Sequence, residues 1–413
     1  MKCKPLALTA TLFLVGSPAV LAQQKRPDSL QSLGVGARST GVGGAFVALS
    51  EDLTALFWNP AGLSHLTRAQ LALDFRTLPR TIFADQSVAG PRELGATGLN
   101  FSFAGFAYPL ARELGPGELN RKGTLAFSRA LVGYEQTLAL GPGAVPSIAR
   151  YWFTSAGYGK QVSPLLRVGL GVHYVQLNTL SPDDPLGGSP SAQGAGNGVT
   201  FSVGTKWKPK PDSPTTVGFN YLHPTRVSSL GLAGAVFGER ISGRVSTGLA
   251  YDYGEIGPGN LTFSLEGRYY FGGNSGGDAL EQRGNVADVH VGAEYAIPRG
   301  DRTYFLRGGF YTRNASDPVL FFDDRVLTFG VGVEQNQKVR LDVGVEVSTI
   351  DGSPTVTSSL RYFLPAGRPG TPPVDRVTQP RRKSQEERIK ELEQKVQELE
   401  MLLQELRKPK EQP

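Results

Sequence analysis

From about Gln70 to Leu364 the chain repeats one pattern, apolar side chains at every second position followed by Gly, Pro, Asn or Asp. A strand turns successive side chains to opposite faces, so a period of two predicts strands with one apolar and one polar face. The clearest runs are Leu71, Leu73 and Phe75; Leu99, Phe101 and Phe103; Leu166, Val168, Leu170 and Val172; and Val199, Phe201 and Val203. Later runs are as regular, for example Leu261, Phe263 and Leu265, then Val339, Leu341, Val343, Val345 and Val347. With weaker runs around 124–132, 151–159, 215–222 and 303–312, the pattern predicts 14 antiparallel strands. Connections after the first, third, fifth, seventh, ninth and eleventh strands are long, whereas most others are short, Lys208 to Pro214 and Asn336 to Lys338 among them. An even strand number with long loops on one rim and short turns on the other predicts a transmembrane β-barrel of the outer-membrane type.

A soluble all-β sandwich would need a second apolar set for its core, and the interleaved positions show none. Tyr and Trp gather near the strand ends as interfacial girdles do: Trp152, Tyr174, Trp207, Tyr221, Tyr253, Tyr295, Tyr304 and Tyr362. The polar faces carry Arg167, Glu266, Arg268, Glu294, Arg307, Glu334, Arg340, Asp342, Glu346 and Arg361. Both signs are mixed, so the lumen is either hydrated or filled by paired charges. Arg129 breaks the alternation, because it shares a face with Leu125, Phe127 and Leu131. A rim position, a bulge or an inward kink would each account for it.

The amino terminus carries Lys2 and Lys4, an apolar stretch from Leu6 to Leu21, and Ala22 before Gln23, which predicts a secretory signal peptide over residues 1–22. The single cysteine, Cys3, lies within it, so no disulfide framework is expected and the context is exported. No later stretch approaches the 18 or more apolar residues of a spanning helix. Residues 23–68 are too apolar for a disordered leader, with Gly41 to Ala48 and Phe57 to Leu63 both rich in small and apolar residues. Ser50 before Glu51 and Asp52 predicts a helix start, Leu53, Leu56 and Phe57 its apolar face, and Pro60 its end. Such a segment needs burial, which a place in the mouth of the barrel provides.

The residues Gly36-Ala37-Arg38, Gly41, Gly43 to Ala48, Asp52, Ala55 and Phe57-Trp58-Asn59-Pro60-Ala61-Gly62-Leu63 together resemble the FadL-type long-chain fatty-acid transporters of the outer membrane and their PorV/PorQ-like relatives. The resemblance implies a 14-stranded barrel, over residues 69–364, closed by an N-terminal hatch, with Gly43, Gly44, Asn59, Pro60, Ala61 and Gly62 as the hatch motif and Arg38 as a hatch charge. It further implies that a hydrophobic ligand passes through a pocket and leaves sideways at a kinked strand. In PorV-like members the barrel instead receives exported cargo for protein secretion. From the residues alone, Asn59 reads as a turn-stabilising side chain before a proline or as a ligand contact. Arg38 reads as the partner of a wall carboxylate or of a substrate.

After Leu364 a Pro-rich linker, 365–383, leads to a charged segment, 384–408, that opens with Ser384 and Glu387 as a capping box. Ile389, Leu392, Val396, Leu399, Leu403 and Leu406 alternate steps of three and four, the seam of a coiled-coil helix. Arg388 with Glu393 and Lys395 with Glu400 suit parallel self-association; a partner helix or an isolated helix are the alternatives. A hatch entering from inside and an even strand count put this tail in the periplasm. The fold class expected is thus all-β, a 14-stranded antiparallel transmembrane barrel with an N-terminal hatch and a C-terminal coiled-coil helix.

The net charge of +6 shrinks on division: the signal holds two Lys and residues 365–413 hold 11 basic against nine acidic, leaving about +2 elsewhere. That excludes a nucleic-acid footprint. Arg381-Arg382-Lys383 reads as a solvated linker or a contact with anionic lipid. Gly273 to Gly277 fits the nucleophile-elbow pattern without its strand-turn-helix setting, and Gly34 to Ser39 lacks the third glycine of a dinucleotide fingerprint. His65, His173, His223 and His290 have no ligand spacing, while Asp183-Asp184 and Asp323-Asp324 read as solvated loop carboxylates. No metal, cofactor or enzymatic activity is expected. The expected partners are outer-membrane lipid and a small hydrophobic, fatty-acid-like molecule taken up through the plugged lumen. A secretion-associated shuttle or an envelope scaffold is the alternative.

Overall fold

A computed structural model describes residues 34–77, 81–84, 91–94, 99–110, 122–137, 147–180, 194–230, 236–271, 286–314, 323–349 and 354–364. The signal peptide, Asp183-Asp184, Gly273 to Gly277, the linker and the proposed seam from Ile389 to Leu406 lie outside these residues. The strands are β1 (Gln70–Thr77), β2 (Thr81–Ala84), β3 (Pro91–Leu94), β4 (Leu99–Pro109), β5 (Thr124–Thr137), β6 (Ser147–Gln161), β7 (Leu166–Leu180), β8 (Gly194–Trp207) and β9 (Thr215–Leu222). They continue with β10 (Thr225–Leu230), β11 (Val236–Ile241), β12 (Gly243–Ile256), β13 (Gly259–Phe271), β14 (Val286–Arg299), β15 (Arg302–Asn314), β16 (Asp323–Gln335), β17 (Val339–Ser348) and β18 (Pro354–Phe363).

Fourteen of these, β1, β4 to β9 and β12 to β18, form a closed antiparallel barrel. Each pairs with its neighbour in sequence, and β1 closes the ring on β18 with Gln70 opposite Phe363 and Leu73 opposite Leu360. Two hairpins were not expected from the sequence. One is β2–β3 in the first long connection, and the other is β10–β11, which prolongs β9 and β12 beyond a break at His223-Pro224 and Ser242. Pro224 has no N–H to offer the ladder, and the break falls there. Asp323 and Asp324, expected in a loop, open β16.

The alternation is inverted relative to a soluble protein. Along β1, Gln70, Ala72 and Asp74 are 0–2% exposed while Leu71, Leu73 and Phe75 are 39–45% exposed. The same holds around the ring, with Phe127, Leu170, Phe201, Leu265, Phe329 and Leu341 outward and Ser128, Ser202, Glu266, Thr328 and Asp342 inward. An apolar outer wall of paired strands without a free edge is how a chain satisfies its backbone in lipid. Among the described residues no helix is long and apolar enough to cross a membrane.

The inward face differs between the two halves of the ring. On β12 to β18 and β1 it is charged, as the sequence suggested. On β4 to β11 it carries an apolar set, Phe103, Ala130, Leu131, Val132, Tyr151, Phe153, Val175, Leu177, Leu222, Val227 and Ile241, all buried, beside the buried polar side chains Ser128, Ser155, His173, Ser202 and Lys206. The second apolar set that the alternation had not revealed is therefore present, and it lines half of the lumen instead of a sandwich core.

Arg129 stays outward with Leu125 and Phe127, and the irregularity lies just beyond it. Between Leu131 and Gly133 the β5–β6 register shifts, so that Ala130, Leu131, Val132 and Gly133 are buried in succession. A second shift in the β1–β4 ladder buries both Ser102 and Phe103. The two bulges face each other across the β4–β5 seam. The β4–β5 ladder ends at Phe103 opposite Ala130, although β4 continues to Leu99 along β1 and β5 continues to Thr137 along β6. Among the described residues, Leu99 to Ser102 have no ladder partner in β5.

Candidate functional site

Residues 34–66 lie inside the barrel. They form α1 (Ala37–Gly41), α2 (Ala55–Trp58) and a 3-10 turn over Pro60–His65. The helix expected to start at Ser50 begins at Ala55, because the Asp52 carboxylate turns back on Thr54, accepting from its amide at 2.9 Å and from its hydroxyl. Pro60 ends α2 and opens the 3-10 turn, where its missing N–H costs nothing.

The wall meets this segment with glycines. A Cβ on Gly344, Gly330, Gly309, Gly292, Gly248, Gly218, Gly204 or Gly169, one in each of eight strands, would come under 3.0 Å from residues 37–61. The close approach lets the segment run against wall backbone around most of the ring. On the segment itself, Gly43 and Gly44 adopt φ of 64° and 70°, left-handed values that a side chain would strain, and Gly44 packs on His290. A Cβ on Gly62 would overlap the Ser50 carbonyl.

Asn59 joins segment to wall. Its side-chain amide donates to the Val47 carbonyl at 2.9 Å and to the Thr205 carbonyl of β8 at 3.0 Å, while its Oδ1 accepts from the Ala61 amide at 3.2 Å. The side chain therefore stabilises the turn and pins it to β8 at once. Pro60 and Ala61 lie over Gly169.

Charge holds the opposite side. The Glu294 carboxylate accepts from Arg38 Nε at 2.9 Å, Arg38 Nη2 at 2.7 Å and Arg307 Nε at 2.6 Å. Arg307 also meets Asp342 at 2.9 Å, Arg340 meets Asp342 at 2.9 Å and Glu334 at 3.6 Å, and Arg361 meets Asp52 at 2.7 Å. Four arginines thus face four carboxylates, which is how buried charges are tolerated. Glu266 accepts from the Phe46 and Val47 amides at 2.6 and 2.8 Å and from Arg268 Nε at 2.6 Å. Arg76 pairs with Glu346 near the start of the segment. Burial alone would raise the Asp52 carboxyl; Arg361 and then Arg38 outweigh it and hold it below the usual carboxylate range. Burial disfavours a charged Arg38 as well, but Glu294 keeps its guanidinium firmly protonated.

At the short-turn end, Lys206 donates to the Ser50 carbonyl at 2.9 Å and lies 3.5 Å from Glu51. Lys206 is buried and Glu51 half-exposed, so water screens the carboxylate side of that pair. His65 lies 3.5 Å from Glu51. Burial, then Lys206 and Arg167, keep its imidazole neutral well below the usual 6.5. The four histidines stay apart. His173 sits between the hydroxyls of Ser155 and Ser202 at 2.7 and 2.8 Å, His290 hydrogen-bonds the Gly43 carbonyl at 2.7 Å, and His223 stacks on Phe201. Among the described residues no group of three or more His, Cys, Asp or Glu could hold a metal ion.

On the loop side of the segment lies an apolar lobe. Phe57 and Trp58 meet edge-on at 4.9 Å, and Phe153 lies 6.2 Å from Phe57. Phe103, Val132, Tyr151, Val175, Leu177, Leu222, Val227 and Ile241 extend the same cluster, and Val132 brings it to the β4–β5 seam. Trp58 marks its boundary with the charged half, since Arg268 and Arg244 lie 4.6 and 5.6 Å from its ring. Phe103, expected on one face with Leu99 and Phe101, turns inward at the β4 bulge, and the other lobe residues escaped the alternation where both parities are apolar, as in Tyr151-Trp152-Phe153. That loss of alternation is itself the signal that could have found them.

No protein-family profile and no curated protein matches the sequence. Solved structures do match. A FadL homologue of Pseudomonas aeruginosa is 13% identical, with 81% of this chain aligned to all of that one at a TM-score of 0.53. The toluene transporter TodX of P. putida is 15% identical, covering 81% of this chain and 99% of that one at a TM-score of 0.52. The shared property is the fold. At these identities the likeness concerns the path of the backbone, and the chemistry must be argued from the residues above.

Proposed function

We propose that this chain is an outer-membrane barrel of a Gram-negative-type bacterium through which small hydrophobic molecules pass, with residues 23–68 acting as its hatch. The observation that carries the reading is the apolar lobe, which is continuous from Phe57 and Trp58 on the segment to Val132 at the seam. A water-filled pore for ions would not line half its lumen with Phe, Tyr, Val and Leu. On this reading a hydrophobic molecule enters from the loop side, stops at the seated segment beside the apolar lobe and leaves sideways between β4 and β5. The FadL-homologue and TodX likeness supports the same reading, as does the match between this segment and the hatch motif. Nothing along the route calls for a reaction or a cofactor.

The test is binding of a fluorescent long-chain fatty acid to the detergent-folded barrel, beside a Val175→Asp variant that places a carboxylate in the lobe. Saturable binding, displaced by toluene and lost in the variant, supports uptake. A folded barrel that binds no hydrophobic probe would overturn it and turn attention to the secretion reading, with the long connections as the platform for exported protein.

A further inference from the structure

The outer lip of the β4–β5 seam carries a feature that hydrophobic passage alone does not require. Arg129 projects outward from the middle of β5, among Leu125 and Phe127, with Ala104 of β4 and Thr154 of β6 beside it in register. Other outward charges, such as Lys160, Arg299, Arg302 and Arg325, sit at strand ends where they reach water. An arginine within the lipid-facing band is costly, and the cost is greatest at mid-depth. Arg129 has no carboxylate partner among the described residues. Its guanidinium lies 5.2 Å from the ring of Trp152, which itself stacks with Phe101 at 6.0 Å. Trp152 belongs to β6 and Phe101 to β4, so their stack reaches across β5 on the outer face, and the Arg129 cation lies beside it. The β4–β5 seam opens immediately beyond the last rung, Phe103 opposite Ala130.

We propose that Arg129 and Trp152 form an anion-receiving site on the outer lip of the seam, which takes the carboxylate of an amphipathic acid whose tail lies between β4 and β5. The proposal rests on the uptake reading and narrows its substrate class to hydrophobic acids over neutral hydrocarbons. The geometry suits this occupant. The lobe and the bulged residues Leu131 and Val132 are apolar up to the seam, and Phe101 and Trp152 continue the apolar surface outside it. One cation, with no carboxylate partner among the described residues, stands where a head group would emerge. A guanidinium offers a carboxylate two parallel N–H donors, and the exchange removes an uncompensated charge from the lipid face. A neutral hydrocarbon would gain nothing there.

The chain has three tryptophans, which permits a test at two places. Trp58→Phe with Trp207→Phe leaves Trp152 at the lip, and Trp152→Phe with Trp207→Phe leaves Trp58 in the lobe. Dibrominated stearic acid and its methyl ester are the quenching probes, used with the full chain in detergent at a pH where the acid is ionised. Both probes should quench Trp58. At Trp152 the acid should act at about five-fold lower concentration than the ester, the effect of one basic residue near a membrane surface. Arg129→Gln should remove that difference while leaving Trp58 quenching intact, and Arg129→Lys should keep part of it. Equal quenching of Trp152 by acid and ester, or selectivity that survives Arg129→Gln, would overturn the proposal. So would loss of selectivity on adding phosphatidylglycerol, which would assign the site to a phospholipid phosphate. Failure of both probes to quench Trp58 would defeat the uptake reading, on which the site depends, and is thereby told apart from failure at Arg129 alone.

Discussion

Asn59→Ala should unseat the luminal segment without opening the barrel. The substitution removes three hydrogen bonds, those to the Val47 and Thr205 carbonyls and that from the Ala61 amide, at a side chain that is fully buried. The Thr205 bond joins the segment to the wall and the other two hold the turn that presents it, so at roughly 1 kcal/mol net for each the seated form loses about 3 kcal/mol, and more if the freed groups stay dry. That energy corresponds to an increase of roughly 150-fold in the population of the unseated state. Hydrogen exchange in detergent reads it directly. The amides of Phe46 and Val47, which donate to Glu266 of the wall, and that of Ser50, which donates to the Phe46 carbonyl, should exchange faster by about two orders of magnitude. Amides of β15 to β17, which pair only within the wall, should keep their protection. If the segment exchanged at the wild-type rate in the variant, Asn59 would not pin it, and the argument from its three bonds would be refuted.

Adjacent glycines of β15 provide a second check: a Cβ on Gly309 would overlap the Gly43 amide, whereas one on Gly308 meets nothing within 4 Å. Gly309→Ala should cost about 1–3 kcal/mol in the seating of the segment and Gly308→Ala should be neutral or mildly stabilising, both read by thermal unfolding and exchange. Acid should loosen the segment. His65 is kept neutral well below its ordinary 6.5, so the unseated state takes up the proton first, and stability that is complete above pH 6.5 falls as the pH drops below it. Asp52, held below its ordinary 3.8, adds a second loss as the pH falls beneath that value, and protease sensitivity of residues 34–66 that stayed constant from pH 7 to 3 would contradict both. Deleting Val132 should remove the β5 bulge and let β4 and β5 pair beyond Ala130. A folded variant with that deletion should bind fatty acid yet release it to the bilayer more slowly, and unchanged release would argue against the seam as the exit.

The barrel was legible in the sequence because lipid on one side and water or paired charge on the other impose a strict period of two. Leu341, Val343 and Val345 alternating with Arg340, Asp342 and Gly344 show the rule at its clearest. It fails where the inward side is apolar too. In β6, Tyr151 and Phe153 face the lumen while Trp152 faces outward, and no periodicity separates the roles of three adjacent aromatics. The sequence also could not show where β4 and β5 stop pairing, because a bulge is one residue of slippage that changes no residue type. Arg129 among Leu125, Phe127 and Leu131 was the visible irregularity nearby, open to a rim position, a bulge or an inward kink; it stays outward, and the residue that turns inward at the bulge is Leu131. The wall glycines were visible as composition but not as a seat. Only the register shows that Gly292, Gly309 and Gly330 stand against Val42, Gly43 and Gly41 in turn.

The central claim is passage of hydrophobic molecules through the plugged lumen. Its most direct test is accumulation of a labelled long-chain fatty acid by cells that lack their own hydrophobic uptake channel, with and without this chain in the outer membrane. The account predicts saturable uptake that requires the chain and falls with Val175→Asp. Uptake no greater than in cells without the chain, when the barrel is present and folded, would contradict it.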